Sequence, residues 1–243
     1  MSEMPPSPPS LADLRREIDD IDAEVHRLLM QRGEIIDRLI AVKQTQEVGS
    51  AFRPAREADM MRRLVQRHHG ILPLDTVESI WRVIIATFTY VQAPFACMPT
   101  CRSANRRCAI PRASISASPC RSCPHFSAAA AVEAVAHSKG DLALVSATSG
   151  RTPWWIELEA AGALKIIARL PFVERADHPA ALPVFVVSRV ADSAMVTEVE
   201  TWSVRVSGWN AEVARALSPL AEIVAVPDDR YRRRGAAGVD PWR

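Results

Sequence analysis

Six polar side chains interrupt a region in which leucine, isoleucine and valine recur with the spacing of an amphipathic helix. They are the cations Arg15, Arg32, Lys43 and Arg56, the acid Glu57 and the amide Gln92. Guanidinium groups at positions where an apolar core is expected either pair with carboxylates or bind an anion. In the first interpretation they are solvated charges on a helix face that pair with nearby acids, namely Asp19, Asp20, Asp22, Glu24, Glu34 and Asp37. The second predicts a binding site for a small anion.

The apolar spacing predicts a long first helix over residues 11–45, with Ser10 as its N-cap and Asp13 three residues later. Such a helix is roughly 50 Å long, which is too long for a lone small globule and indicates a helix shared between two subunits. Arg15 and Arg32 lie roughly 25 Å apart along it and cannot reach one small ligand from the same chain. Two antiparallel copies would bring Arg15 of one chain to Arg32 of the other.

Two further helices follow. Pro54 suits the first turn of a second helix over about residues 54–69. A third helix over residues 74–92 stops before Pro94, because a residue that precedes proline disfavours helical geometry.

The order and spacing of these residues resemble the all-helical class of chorismate mutases. The pattern is L-x-x-L-R-x-x-I-D-x-I-D-x-x-x-x-x-L-L-x-x-R over Leu11–Arg32, then Lys43, then F-R-P-A-R-E at 52–57, then I-I-x-x-x-x-x-x-Q ending at Gln92. It spans residues 11–92, with one extra residue between Lys43 and Arg56. The resemblance implies an all-α domain over residues 11–95, and a homodimer with intertwined first helices and shared active sites.

The reaction implied by the resemblance is the rearrangement of chorismate to prephenate, a step in phenylalanine and tyrosine biosynthesis. It needs no metal, nucleophile or cofactor, because the bonds reorganise within one molecule. By the same resemblance, Arg15 reaches into the partner's site and Arg32 into its own, each to bind a substrate carboxylate. Lys43 and Gln92 contact the ether oxygen on which negative charge develops.

The resemblance also gives Arg56 the role of adding positive field and Glu57 that of meeting the ring hydroxyl of the substrate. Two positions depart from the usual pattern of the family. Arg53 stands where an acidic residue near the substrate hydroxyl is common, and Phe88 stands where a small hydroxyl residue often assists carboxylate binding. Both count as substrate-binding positions, and mutase activity is still expected.

The composition changes after the third helix. All five cysteines of the chain lie between residues 97 and 123, a stretch with several Arg, Pro and Ser and no acid. Residues 96–124 are therefore assigned to a basic, cysteine-containing linker. A zinc site at Cys120-x-x-Cys123 is an alternative, but no second C-x-x-C accompanies it. A third hypothesis is that residues 97–123 and the tail 230–243 are frameshift products of a GC-rich gene, since one-base shifts give ordinary globular sequence.

Residues 125–229 alternate helical and strand patterns and predict an α/β domain. The predicted helices are 128–137, 154–161 and 211–217, and the predicted strands are 141–146, 165–170, 184–189, 202–207 and 223–226. The domain weakly resembles part of a prephenate dehydratase but lacks that family's Thr-Arg-Phe motif before Val184. We therefore expect a structural or regulatory remnant. The fold class predicted for the whole chain is α + α/β, with disorder in residues 1–10 and 230–243.

Whole-chain properties restrict the function further. The chain has 243 residues and a net charge of +2, which gives no overall attraction to nucleic acid or a membrane. The lack of an apolar signal core predicts a cytoplasmic protein. Besides the mutase, three functions stay open: an inactive helical dimerisation module, a bifunctional mutase–dehydratase, and a basic nucleic-acid or zinc binder. The inactive module predicts an intramolecular acid partner for each of Arg15, Arg32 and Lys43.

Overall fold

The structure, a computed structural model, describes residues 9–43, 51–100, 121–122, 125–146, 154–161, 164–173, 175, 184–189, 200–202, 208 and 210–218. The chain divides into two compact units, Met1–Glu47 and Val48–Arg243. Several predictions lie wholly or mostly outside the described residues. They are the disorder in residues 1–10, of which 9 and 10 are described, the disorder in the tail 230–243, the zinc spacing at Cys120 and Cys123, the strand at 202–207, of which only Trp202 is described, and the strand at 223–226.

The first unit contains helix α1, Leu11–Lys43. Its start is fixed by the predicted cap, because the Ser10 hydroxyl accepts from the Asp13 backbone N–H at 3.2 Å and donates to the Asp13 carboxylate at 2.6 Å. Ile18 and Ile21 on this helix are 57% and 61% exposed, and the same is true of other members of the predicted apolar row. The helix therefore carries an apolar stripe that is open to solvent in the single chain.

The second unit begins with two helices, α2 at Pro54–Arg67 and α3 at Leu74–Gln92. Helix α3 has the predicted bounds, whereas α2 ends two residues earlier than predicted because the backbone of His68 is extended. The two helices share a small core of Met61, Leu64 and Ile85. On α3, however, Ile80 and Val91 are exposed, while the polar residues Glu78 and Thr89 are buried.

A five-stranded mixed sheet follows, with the strand order β2-β1-β3-β5-β4. Its strands are β1 (Ala96–Pro99), β2 (Arg121–Ser122), β3 (Leu142–Ser146), β4 (Leu164–Leu170) and β5 (Val184–Arg189). Strand β1 pairs in parallel with β2 and β3, and β5 pairs antiparallel with β3 and β4. Three short helices complete the described elements: α4 (Ala128–Ala136), α5 (Ile156–Ala161) and α6 (Ala211–Leu217). The predicted α + α/β class is confirmed.

The two faces of the sheet pack against different elements. Alternate residues of β3 point to opposite faces, so Ala143 and Val145 pack in a core with α4 and Trp154. On the other face, Leu142 and Leu144 join a core that includes residues next to or within the first two helices of this unit, Phe52 and Tyr90 among them. The sheet is therefore packed against the α2–α3 pair as well as against its own helices.

Strand β1 lies inside the segment 96–124 that the sequence assigns to a linker. Cys97 and Met98 are buried, because the soft side chains of cysteine and methionine pack as apolar groups in a core. Pro99 has no N–H to donate, but it closes the strand and its carbonyl accepts from the His125 N–H at 2.9 Å. These four residues are therefore a strand and not a linker.

Met61 offers a test of the α2–α3 core, because its side chain is completely buried in that core. Met61→Ala is expected to lower the free energy of unfolding by about 2–5 kcal/mol, through lost burial and the cavity left behind. Urea denaturation measures this loss. The neighbouring Met60→Ala is the control, since Met60 is only partly buried and its truncation should cost clearly less; equal losses would contradict this packing.

Candidate active site

Helix α1 carries the first three predicted site residues. Arg15 is exposed, and within the described part of the chain its side chain makes no hydrogen bond or ion pair. Its neighbours on the same helix differ, because Arg16 pairs with Asp13 at 3.3 Å and Arg27 with Glu24 at 2.6 Å. The acid partner that an inactive module predicts for Arg15 is therefore missing among the described residues.

The other two cations of α1 lie farther along the helix. Arg32 is half-buried, about five turns beyond Arg15, and Lys43 is the last residue of the helix. The separation of Arg15 from Arg32 follows directly from the continuous helix between them. One copy of α1 therefore cannot gather both guanidinium groups around one small ligand.

The start of α2 carries three more predicted residues. Arg53 immediately precedes the helix, and its Nη1 donates to the carbonyl of Phe52 at 3.2 Å. Arg56 is exposed in the first turn, whereas Glu57, the next residue, is buried with 9% of its surface accessible. Consecutive residues on a helix point about 100° apart, which explains why these two neighbours have opposite environments.

The last turns of α3 carry Phe88 and Gln92, both half-buried. The Gln92 side-chain amide donates from Nε2 to the Phe88 carbonyl at 3.0 Å. This hydrogen bond places the amide one turn back along its own helix. One of the two N–H groups of the predicted donor to the ether oxygen is therefore engaged in a local contact.

Glu57 is the predicted site residue with the most perturbed environment. Burial raises the pKa of the Glu57 carboxyl to about 7, and the positive charge of Arg82 on α3 acts in the opposite direction. Burial also lowers the pKa of Arg82, against which the charges of Glu57 and Glu78 act. Glu57 and Glu78 are buried, and Arg82 is half-buried with its Nη1 atom inaccessible, so the three side chains form a largely buried charged cluster between α2 and α3. With a pKa near 7, Glu57 exists in both charged and neutral forms at neutral pH.

Arg82 and Glu78 were not predicted from the sequence. A signal for them was present, because Glu78, Arg82, Ile85 and Thr89 recur at steps of four, three and four residues and so share one helix face. The surrounding run Ile80–Ile85 is apolar on nearly every side apart from Arg82, so hydrophobic periodicity alone does not identify the buried face.

The predicted residues divide between the two compact units. Arg15, Arg32 and Lys43 belong to the first unit, and Arg53, Arg56, Glu57, Phe88 and Gln92 belong to the second. Their roles toward a substrate stay predictions. Among the described residues, no group of three or more His, Cys, Asp or Glu side chains is placed to hold a metal ion. No helix in the described ranges is both long and apolar enough to cross a membrane.

Comparison with known proteins identifies the helical region. Residues 14–93 match the family model described as chorismate mutase type II. A bifunctional chorismate mutase/prephenate dehydratase from Neisseria gonorrhoeae (strain ATCC 700825 / FA 1090) is 34% identical over 80 residues, which cover 33% of this chain and 21% of that protein. The chain thus matches about a fifth of the length of this relative, and no solved structure gives a significant match. Residues 14–93, a third of the chain, are therefore similar to a chorismate mutase type II domain.

Proposed function

We propose that this chain is a chorismate mutase that converts chorismate to prephenate in aromatic amino acid biosynthesis. The observation that carries the proposal is that the family match, residues 14–93, contains all of the predicted site residues. These are Arg15, Arg32, Lys43, Arg53, Arg56, Glu57, Phe88 and Gln92. The substrate is a dianion, and a site with four arginines and a lysine is suited to bind it.

The proposed mechanism uses binding and electrostatics alone. Arg15 and Arg32 hold the two carboxylates in the compact conformer from which the bonds reorganise. Lys43 and Gln92 then stabilise the negative charge that builds on the breaking ether oxygen. A rate gain of about 10⁶ needs roughly 8 kcal/mol of stabilisation that is specific to the transition state, which a few desolvated charged contacts can supply.

The proposed active form is a homodimer in which each site takes residues from both chains. Two features of α1 support it: Arg15 and Arg32 lie roughly 25 Å apart on one helix, and the apolar stripe of α1 is exposed in the single chain. Burying this stripe against a second copy would remove apolar surface from water. The same pairing, antiparallel, would bring Arg15 of one chain to Arg32 of its partner.

The proposal is tested by following the loss of chorismate absorbance with purified protein. Arg32→Ala and Lys43→Ala are each expected to lower kcat/KM by about 10²–10³-fold, because each removes a charged contact to the reacting molecule. Arg38→Ala is the matched control, since Arg38 is an exposed arginine on the same helix and should leave kcat/KM within about twofold of wild type. An inactive wild type, or full activity in both variants, would disprove the function.

A further inference from the structure

The buried cluster of Glu57, Glu78 and Arg82 is in contact with the sheet half of the chain. The guanidinium carbon of Arg82 lies 5.5 Å from the centroid of the Phe172 ring, within the range of a cation–π contact. Phe172 follows strand β4, so this ring is supplied by the sheet and not by the mutase helices. Arg82 thus has Glu57 and Glu78 as its charge partners and an aromatic face from a different part of the fold.

Two further contacts fix this segment on the helices. Phe172 and Val173 both pack against the α2–α3 core of Met61, Leu64 and Ile85. Arg175 forms an ion pair with Asp75 in the first turn of α3. Apolar packing and an ion pair therefore hold the segment that begins after β4 against α2, which carries Glu57, and α3, which carries Glu78 and Arg82.

We propose that Arg82 is a positioning residue for the Glu57 carboxylate, and that Phe172 holds Arg82 in place, so that the sheet half acts on the proposed mutase site. The inference rests on the proposed function only for its effect on catalysis. The contact between Phe172 and Arg82 is a property of the fold, and the effect of the Arg82 charge on Glu57 can be measured without any substrate.

The physical basis is the cost of a charged carboxylate away from water. Glu57 accepts a hydrogen bond from a substrate hydroxyl best as a carboxylate, and burial opposes that form. Within the cluster, the charges that act on one another are Glu57 from α2 and Glu78 and Arg82 from α3. Of the nearby cations, Arg56 is exposed and Arg175 pairs with Asp75. Among these, Arg82 is the cation that acts on Glu57, so loss of its position should favour the neutral acid.

The test is a titration of the Glu57 carboxyl by carbon-detected NMR, with the signal assigned through Glu57→Gln. In wild type we expect the midpoint near pH 7, which is the raised pKa of Glu57. Arg82→Met should move the midpoint up by about one to three pH units, as expected when a nearby opposite charge is removed. Arg82→Lys retains the charge and should move it less, which distinguishes electrostatics from a folding defect.

Phe172→Leu is the decisive variant, because it keeps an apolar side chain and removes only the aromatic face. Phe172→Leu should raise the pH midpoint of the Glu57 titration, by less than Arg82→Met does. It should also shift the acidic limb of the profile of kcat/KM against pH to higher pH. Phe126→Leu is the matched control, since Phe126 is 83% exposed in the same unit and should change neither.

The outcomes separate the two hypotheses. If Phe172→Leu leaves the Glu57 midpoint where Phe126→Leu leaves it, the sheet half does not act on this carboxylate and the inference is overturned. An unchanged midpoint in Arg82→Met overturns the role of Arg82 itself. If the midpoints move as expected but wild type has no mutase activity, the coupling stands and the proposed function fails.

Discussion

Mixing two inactive variants, Arg15→Ala and Arg32→Ala, is expected to restore about a quarter of wild-type mutase activity. In the proposed dimer, each site takes Arg15 from one chain and Arg32 from the other. A mixed dimer therefore has one site with both arginines and one site with neither. Random reassembly of equal amounts makes half of the dimers mixed, so about one site in four is complete.

The matched control is a mixture of Arg32→Ala with Lys43→Ala. Both residues are proposed to serve the same site from the same chain, so every site in every dimer lacks one of them. This mixture should stay as inactive as its components, although reassembly is equally efficient. Chain exchange is ensured by refolding the two proteins together, and the mixed fraction is measured with two different affinity tags.

Recovery in the first mixture and not in the second would establish that sites are shared between chains. If neither mixture recovers although mixed dimers are present, each site is built within one chain. The properties of α1 favour the first outcome: Arg15 is exposed and makes no ion pair among the described residues, and the apolar stripe of the helix is open.

The helices could be predicted closely because their signals are local. A cap, a proline and a period of 3.6 residues act within a few positions, and α3 has the predicted bounds while α1 starts at the predicted cap. Strand β5 also has its predicted limits, because a short apolar run rich in valine is typical of a buried strand. For these elements, local signals in the sequence are sufficient to predict the bounds.

The charged cluster and strand β1 depend on distant contacts, and the sequence does not reveal them. Glu57 lies on α2, which packs against α3, and the charge that acts on it comes from Arg82, 25 residues away along the chain. Cys97 belongs to a strand because β3 pairs with it in parallel, whereas its local sequence is typical of a linker. The candidate site was thus predictable as a set of residue types, but the ionisation of Glu57 was not.

Glu57→Gln is expected to make the protein more stable and less active at pH 8. Burial raises the pKa of Glu57 from its ordinary 4.5 to about 7. Between these two pH values, the Glu57 carboxyl is therefore mostly protonated in the folded chain and mostly ionised in the unfolded chain. Stability from this group is fully present below about pH 4.5 and is lost as the pH rises to about 7, by up to about 3 kcal/mol at about 1.4 kcal/mol per unit.

The amide that Glu57→Gln introduces cannot ionise, so the variant does not lose this contribution as the pH rises. Urea denaturation of both proteins at pH 5, 6, 7 and 8 should show the free energy of unfolding of the variant gaining on wild type across this range. Glu133→Gln is the control, because Glu133 is exposed on α4 and its change should stay within about 0.5 kcal/mol of wild type at every pH.

The same substitution should lower kcat/KM by about 10–100-fold at pH 8, because a neutral amide replaces a charged acceptor for the substrate hydroxyl. Gain in stability with loss of activity is the signature of a group that is retained for its chemistry despite its cost to the fold. A variant that gains stability and keeps full activity would remove Glu57 from the site. A difference in unfolding free energy that does not change with pH would contradict the raised pKa, and with it the burial of a charged carboxylate between α2 and α3.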